Sequence, residues 1–113
     1  MTTTHEFEIK QGDTGPFLAT VLRDGAGEPL NLTNAISVGL SMVLAEHPRT
    51  VILDAASADF VADATGSVSY QWGPTDTVTT GVYNIEWVVI WPTLTMTIPS
   101  KGFDKVRVNV RAV

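Results

Sequence analysis

Apolar and polar residues alternate with period two along most of the chain, and no window of about eleven residues carries a helical stripe. Phe7 and Ile9 mark a first short strand, the Gly12-Asp13-Thr14-Gly15-Pro16 turn ends it, and a second strand runs from Phe17 to Arg23. Asp24-Gly25-Ala26-Gly27-Glu28-Pro29 breaks the pattern. The clearest alternation follows, with Ile36, Val38, Leu40, Met42 and Leu44 facing one way and Ser37, Gly39 and Ser41 the other. Thr50 to Leu53 reads as a strand, and Asp54 to Thr65 as a weakly patterned connection with room for a helical turn. Val68, Tyr70 and Trp72 mark the next strand, Gly81 to Trp91 a longer one, Leu94 to Ile98 its return after Pro92-Thr93, and Val106, Val108 and Val110 the last. About seven short strands with turn signals between them predict a sandwich or barrel.

The segment Thr80-Gly81-Val82-Tyr83-Asn84-Ile85-Glu86-Trp87 narrows that choice. In immunoglobulin-like sandwiches a Tyr at the start of such a strand buries its ring and turns its hydroxyl onto the backbone of the preceding loop, the tyrosine corner. Two residues on, where an antibody-type domain places a disulfide Cys, stands Ile85, and the chain has no Cys at all. The expected fold is therefore an all-β, immunoglobulin-like antiparallel β-sandwich forming a single domain over residues 1–113. Packing alone must hold it, with Tyr83, Trp72 and Trp87 as structural residues. The expected core comprises Phe7, Ile9, Leu22, Ile36, Val38, Leu40, Met42, Val68, Tyr70, Trp72, Tyr83, Ile85, Trp87, Val89 and Val108.

Composition removes several function classes. The net charge of −5 disfavours binding along nucleic acid phosphates, which takes several Lys or Arg contacts, and equally disfavours a membrane surface. No stretch approaches the roughly 20 apolar residues that span a bilayer, and the start lacks both a basic and an apolar signal region. Without Cys no thiolate metal site is available; His5 and His47 are far apart, and Asp54, Asp59 and Asp63 lack the dense oxygen spacing of a calcium loop. Neither metal nor cofactor is expected. Asn31-Leu32-Thr33 matches the glycosylation sequon, which means little without an export signal. Asp13-Thr14-Gly15 is the active-site triplet of aspartic proteases, where two such loops meet at a dimer axis and two carboxylates share one proton. That chemistry needs apolar residues before the Asp and a small residue after the Gly, whereas Gln11-Gly12 precedes and Pro16-Phe17 follows. A surface turn, in which Gly12 and Gly15 allow positive φ and Asp13 caps its own backbone, is the expected role, and catalytic residues are not expected anywhere.

Two surface features stand out. Trp87-Val88-Val89-Ile90-Trp91 is apolar on both faces, although a strand with one solvated face should keep alternating. Val88, Ile90 and Trp91 are thus covered either by a loop of the same chain or by another protein. Lys101, Lys105, Arg107 and Arg111 are four of the seven cations. Lys105, Arg107 and Arg111 share one parity, which reads either as protection of an edge strand or as a head-to-tail contact with an acidic neighbour.

The run Phe7 to Phe17, the Leu30-Asn31-Leu32-Thr33-Asn34-Ala35 segment, Val68-Ser69-Tyr70-Gln71-Trp72 with Asp76-Thr77 and Gly81-Val82-Tyr83, and Ile98 to Phe103 together resemble the N-terminal domain of phage baseplate upper proteins. The resemblance implies a β-sandwich that joins other phage proteins, without the fibre-forming region that follows it in that family. It implies a non-enzymatic virion structural protein in a tail, baseplate or neck, or decorating a capsid. Such a protein is made in the host cytoplasm, homo-oligomeric or part of a symmetric assembly, with other virion proteins as partners. The residues leave open a carbohydrate-binding or adhesion module using Trp91 and the loop from Gly73 to Thr80, and, more remotely, the homodimeric protease.

Overall fold

A computed structural model describes residues 6–24, 26–45, 50–98 and 104–110. Nine strands follow one another: β1 Glu6–Lys10, β2 Leu18–Val21, β3 Ser37–Leu44, β4 Val51–Ser57, β5 Asp59–Ala62, β6 Ser67–Tyr70, β7 Gly81–Ile90, β8 Thr95–Ile98 and β9 Asp104–Asn109. One sheet has the order β1-β9-β7-β3-β4 with β8 also on β7; the other has the order β2-β6-β5. β8 pairs with Trp87 to Ile90 and β9 with Gly81 to Ile85, so the two act as one interrupted strand along a single edge of β7. The result is the expected all-β sandwich, with the two-sheet strand order of an immunoglobulin-like domain.

Two details differ from expectation. The sheet is mixed, because β1 runs parallel to β9. There are nine strands against about seven expected, and the weakly patterned Asp54 to Thr65 supplies one of them, β5, together with the end of β4 and a 3-10 turn at Asp63–Thr65. Alternation failed there for a local reason: the β3–β4 register shifts twice, between Leu40 and Met42 and between Met42 and Val43. At this bulge Ala55 sits at φ 51, its N–H donating to Ser41 Oγ at 2.9 Å. The bulge rests directly on β3, where a methyl group added at Gly39 would lie 2.7 Å from the Ala55 carbonyl oxygen. Only a glycine admits that approach.

One apolar cluster fills the space between the sheets. The inward row of β7, Tyr83, Ile85, Trp87 and Val89, is buried throughout, and it faces Leu18, Val68, Tyr70 and Trp72 from the smaller sheet and its continuation. Trp72 sits 5.8 Å from the Phe7 ring and 5.4 Å from the Tyr70 ring, edge-on to the latter, and so ties β1 to the opposite sheet. Each buried Trp removes roughly 150–250 Å² from water, on the order of 4–6 kcal/mol before entropy is subtracted. Of the expected core, Ile36 is a correction: it has inward parity yet is 63% exposed, for a reason that emerges at the end of the sandwich described below. Phe7 is half-buried, and the other expected core residues are buried. Leu18, Leu32, Leu53, Ile98 and Val106 join them.

The tyrosine corner is present: Tyr83 Oη donates to the Thr79 carbonyl at 2.6 Å from a fully buried ring. Burial pushes its phenol pKa up. Burial, reinforced by the Asp76 carboxylate that accepts the hydrogen bond of its hydroxyl, does the same for Tyr70. Both phenols stay neutral when folded, while in the unfolded chain they ionise near pH 10. Above that pH the unfolded state binds fewer protons, so stability falls as pH rises toward the folded values. Urea titrations at successive pH values should show this alkaline loss, and Tyr70→Phe with Tyr83→Phe should flatten it.

Glycine geometry supplies a second test. Gly66, at φ 73, would place a methyl 2.7 Å from both the Leu22 and the Leu30 carbonyl oxygens. Gly66→Ala should cost about 3 kcal/mol or more through clash and left-handed strain together. Ala55→Gly, which relieves a left-handed alanine, should instead stabilise by about 0.5–1 kcal/mol. Thermal unfolding of both variants reads the opposite signs.

Candidate functional site

The two ends of the sandwich are built differently. At the end where β7 begins, the turn after β1 is bonded onto the loop after β6. The buried Thr77 donates its hydroxyl to the Asp13 carbonyl at 2.9 Å, and the Gly12 N–H donates to the Thr77 carbonyl at 3.0 Å. Gln11 Nε2 reaches the Val78 carbonyl at 2.7 Å, and Gln71 Nε2 the Thr14 carbonyl at 2.6 Å. Within the loop, one Asp76 oxygen accepts both the Tyr70 hydroxyl at 2.7 Å and the Gly73 N–H at 2.6 Å. This end is closed by hydrogen bonds.

Asp13-Thr14-Gly15 therefore belongs to a turn whose main-chain acceptors at Asp13 and Thr14 are taken by a neighbouring loop of the same chain. Gly12 uses its freedom at φ 84, whereas Gly15 is not among the positive-φ residues.

The opposite end is open and apolar. β7 has ten residues and β3 eight, against four in each strand of the smaller sheet. Among the described residues the larger sheet outruns the smaller one, and the end of its inward row is left partly uncovered. Ile36 lies at that end, its N–H donating to the Ile90 carbonyl at 2.6 Å, and so does Leu94, whose carbonyl accepts the Trp91 N–H at 2.8 Å. Ile36 is 63% and Leu94 50% exposed. Trp91, between them, is half-buried against the core.

On the outer face Ile90 is 40% exposed, flanked in register by Ser37 and Thr95. Val88 is half-buried beside Gly39 and Thr97, neighbours too small to cover it. Ile36, Ile90, Trp91 and Leu94 thus form an apolar ledge around one end of the larger sheet. Val88, Ile90 and Trp91 were legible in the sequence; Ile36 and Leu94 were not. The signal that could have found them is the mismatch in strand length, since the Gly81 to Trp91 run is about twice as long as Val68 to Trp72.

The basic stripe has a different setting from the one expected. β9 is no edge strand: β1 flanks it on one side and β7 on the other. Lys105 Nζ donates to Asn84 Oδ1 at 2.9 Å, and Asn109 Nδ2 to Glu8 Oε1 at 3.2 Å. In the parallel register Glu6 is level with Lys105 and Glu8 with Arg107. Acidic residues of β1 thus run alongside the cations of β9, while Arg107 itself is exposed. Lys101 and Arg111 lie outside the described residues, as do His5 and His47.

The aromatic platform imagined for a glycan does not assemble. Trp91 follows the last residue of β7 and the Gly73 to Thr80 loop precedes its first, so the strand's ten residues hold them about 30 Å apart. Asp54, Asp59 and Asp63 are exposed, and no group of three His, Cys, Asp or Glu among the described residues could hold a metal ion. No helix among them is long and apolar enough to cross a membrane. No family model matches the chain, and neither a curated protein nor a solved structure matches it.

The contrast between the ends is measurable as stability. Ile36→Ser and Leu94→Ser, both on the ledge, should change the unfolding free energy by less than about 0.5 kcal/mol. Leu32→Ala, fully buried nearby in the chain, should cost about 2–5 kcal/mol. At the closed end Thr77→Val, which strips the Asp13 carbonyl of its donor, should cost about 1–3 kcal/mol. Urea unfolding of the four variants separates a docking surface from structural apolar residues.

Proposed function

We propose that the chain is a non-enzymatic structural module of a phage virion, a rigid sandwich that docks on other virion proteins. The observation that carries this reading is the ledge of Ile36, Ile90, Trp91 and Leu94: apolar side chains left exposed at one end of a molecule whose other end is closed by hydrogen bonds. Exposed apolar groups that do not support the fold mark contact surfaces. A half-buried Trp amid flexible aliphatics supplies the rigid anchor such contacts favour. The resemblance of the Phe7 to Phe17 and Val68 to Tyr83 segments to baseplate upper proteins supplies the virion context. The reading covers a tail, baseplate or neck position as well as the capsid surface. The proposed function uses no cofactor, nucleic acid or lipid.

Mass spectrometry of particles purified from the phage carrying this reading frame should find the chain as a stoichiometric component. Ile90→Lys with Leu94→Lys should fold normally yet be retained on particles at least about tenfold less, equivalent to about 1.4 kcal/mol. Absence of the chain from purified particles would overturn the reading.

A further inference from the structure

The smaller sheet is open along β2. Among the described residues, Leu18–Val21 pairs with β6 alone, while β1 pairs with β9 in the other sheet. The Leu22 N–H donates to the Gly66 carbonyl at 2.8 Å, and the Leu22 carbonyl accepts the Leu30 N–H at 2.8 Å, so the backbone groups of Leu22 point to the β6 side. The two-residue period gives Leu18 and Thr20 the same direction and turns the backbone groups of Ala19 and Val21 toward the open edge. Side chains alternate as well. Leu18 is buried, whereas Phe17, Ala19 and Val21 lie on the outer face, Phe17 54% and Val21 37% exposed.

Sheet edges are ordinarily blunted by charge. β1 carries Glu8, β4 carries Asp54 and β5 carries Asp59, all exposed, whereas Pro16 to Leu22 holds no charged residue, and neither does the short β8, Thr95 to Ile98. We propose that β2 is a homotypic docking edge, at which a second copy of this chain adds its own β2 antiparallel about a twofold axis at Ala19. The edge is complementary to itself under that operation. Phe17 of each copy faces Val21 of the other, an aromatic on a β-branched residue, and Ala19 faces Ala19. Each facing pair exchanges both of its backbone hydrogen bonds. The two three-stranded sheets then become one continuous sheet. A partner of opposite charge finds nothing to read on this neutral strip, whereas a second acidic chain meets no like charge there.

The contact lies on the other sheet from Ile90 and Leu94, so its failure would leave the docking reading standing. Five residues a side is well below a standard interface. The pairing is accordingly weak between free copies and reinforced where an assembly already holds them close.

Sedimentation velocity over about 10 µM to about 1 mM, the range suited to an interface below standard size, tests the proposal. The average mass should rise from 12.2 kDa toward twice that value. Phe17→Lys with Val21→Lys should remain monomeric with an unchanged near-ultraviolet circular dichroism spectrum, and Phe17→Ser serves as a milder variant should the double substitution fail to fold. Under mild oxidation Ala19→Cys should give a disulfide-linked dimer, because paired Cα atoms about 5.5 Å apart lie within disulfide reach. Asp59→Cys on the opposite edge should not. Leu94→Lys should dimerise like wild type. A wild type that stays at 12.2 kDa throughout, a dimer that survives the β2 substitutions or vanishes with Leu94→Lys, or cross-linking of Asp59→Cys in preference to Ala19→Cys would each overturn it.

Discussion

Everything in this molecule hangs on the inward row of β7. Tyr83, Ile85, Trp87 and Val89 are almost entirely withdrawn from water, and the strand that carries them pairs with β3 on one side and with β8 and β9 on the other. In a chain without Cys no disulfide joins the two layers, so the apolar area under that row does most to keep them together. Tyr83 adds direction to an otherwise directionless attraction. Its hydroxyl grips the Thr79 carbonyl and fixes how the loop enters the strand. From that loop the further bonds of Thr77 and Gln71 reach the turn after β1.

Unequal sheets are the second determinant. A ten-residue strand facing four-residue partners cannot be covered along its whole length. The uncovered part must be polar, shielded by a loop, or left to a neighbour. This chain places Ile36, Trp91 and Leu94 there and shields only the Trp in part. Packing of the core and availability of a surface are thus two consequences of one arrangement, in which the same alternation that fills the interior runs on into solvent.

Strand identity was legible wherever alternation met hard punctuation. Ile36 to Leu44 and Gly81 to Trp91 could be placed from parity, and Tyr83 could be given its hydroxyl contact, because a Tyr after Gly at a strand start has few other uses. What the linear pattern hid was register. β5 escaped notice since the bulge around Ala55 disturbs period two before it and the register shift between Phe60 and Ala62 disturbs it within the strand itself. Ile36 read as core because parity reports which face a residue occupies and nothing about how far the opposite layer extends. The β9 cations read as an edge device because no local signal announces that β1 crosses to pair in parallel beside them. Part of the ledge was visible for the converse reason: Ile90, like Val88 beside it on the outer face, breaks the alternation, whereas Ile36 and Leu94 obey it.

The parallel pairing of β1 with β9 has a mechanical consequence. Tension entering at Glu6 and leaving at Asn109 would act along the strand pair, since these residues stand at its opposite ends. Such a load strains all the rungs of the ladder simultaneously in shear, in place of peeling them one after another. A module joined to its surroundings through these two strands would resist pulling far better than its modest size suggests.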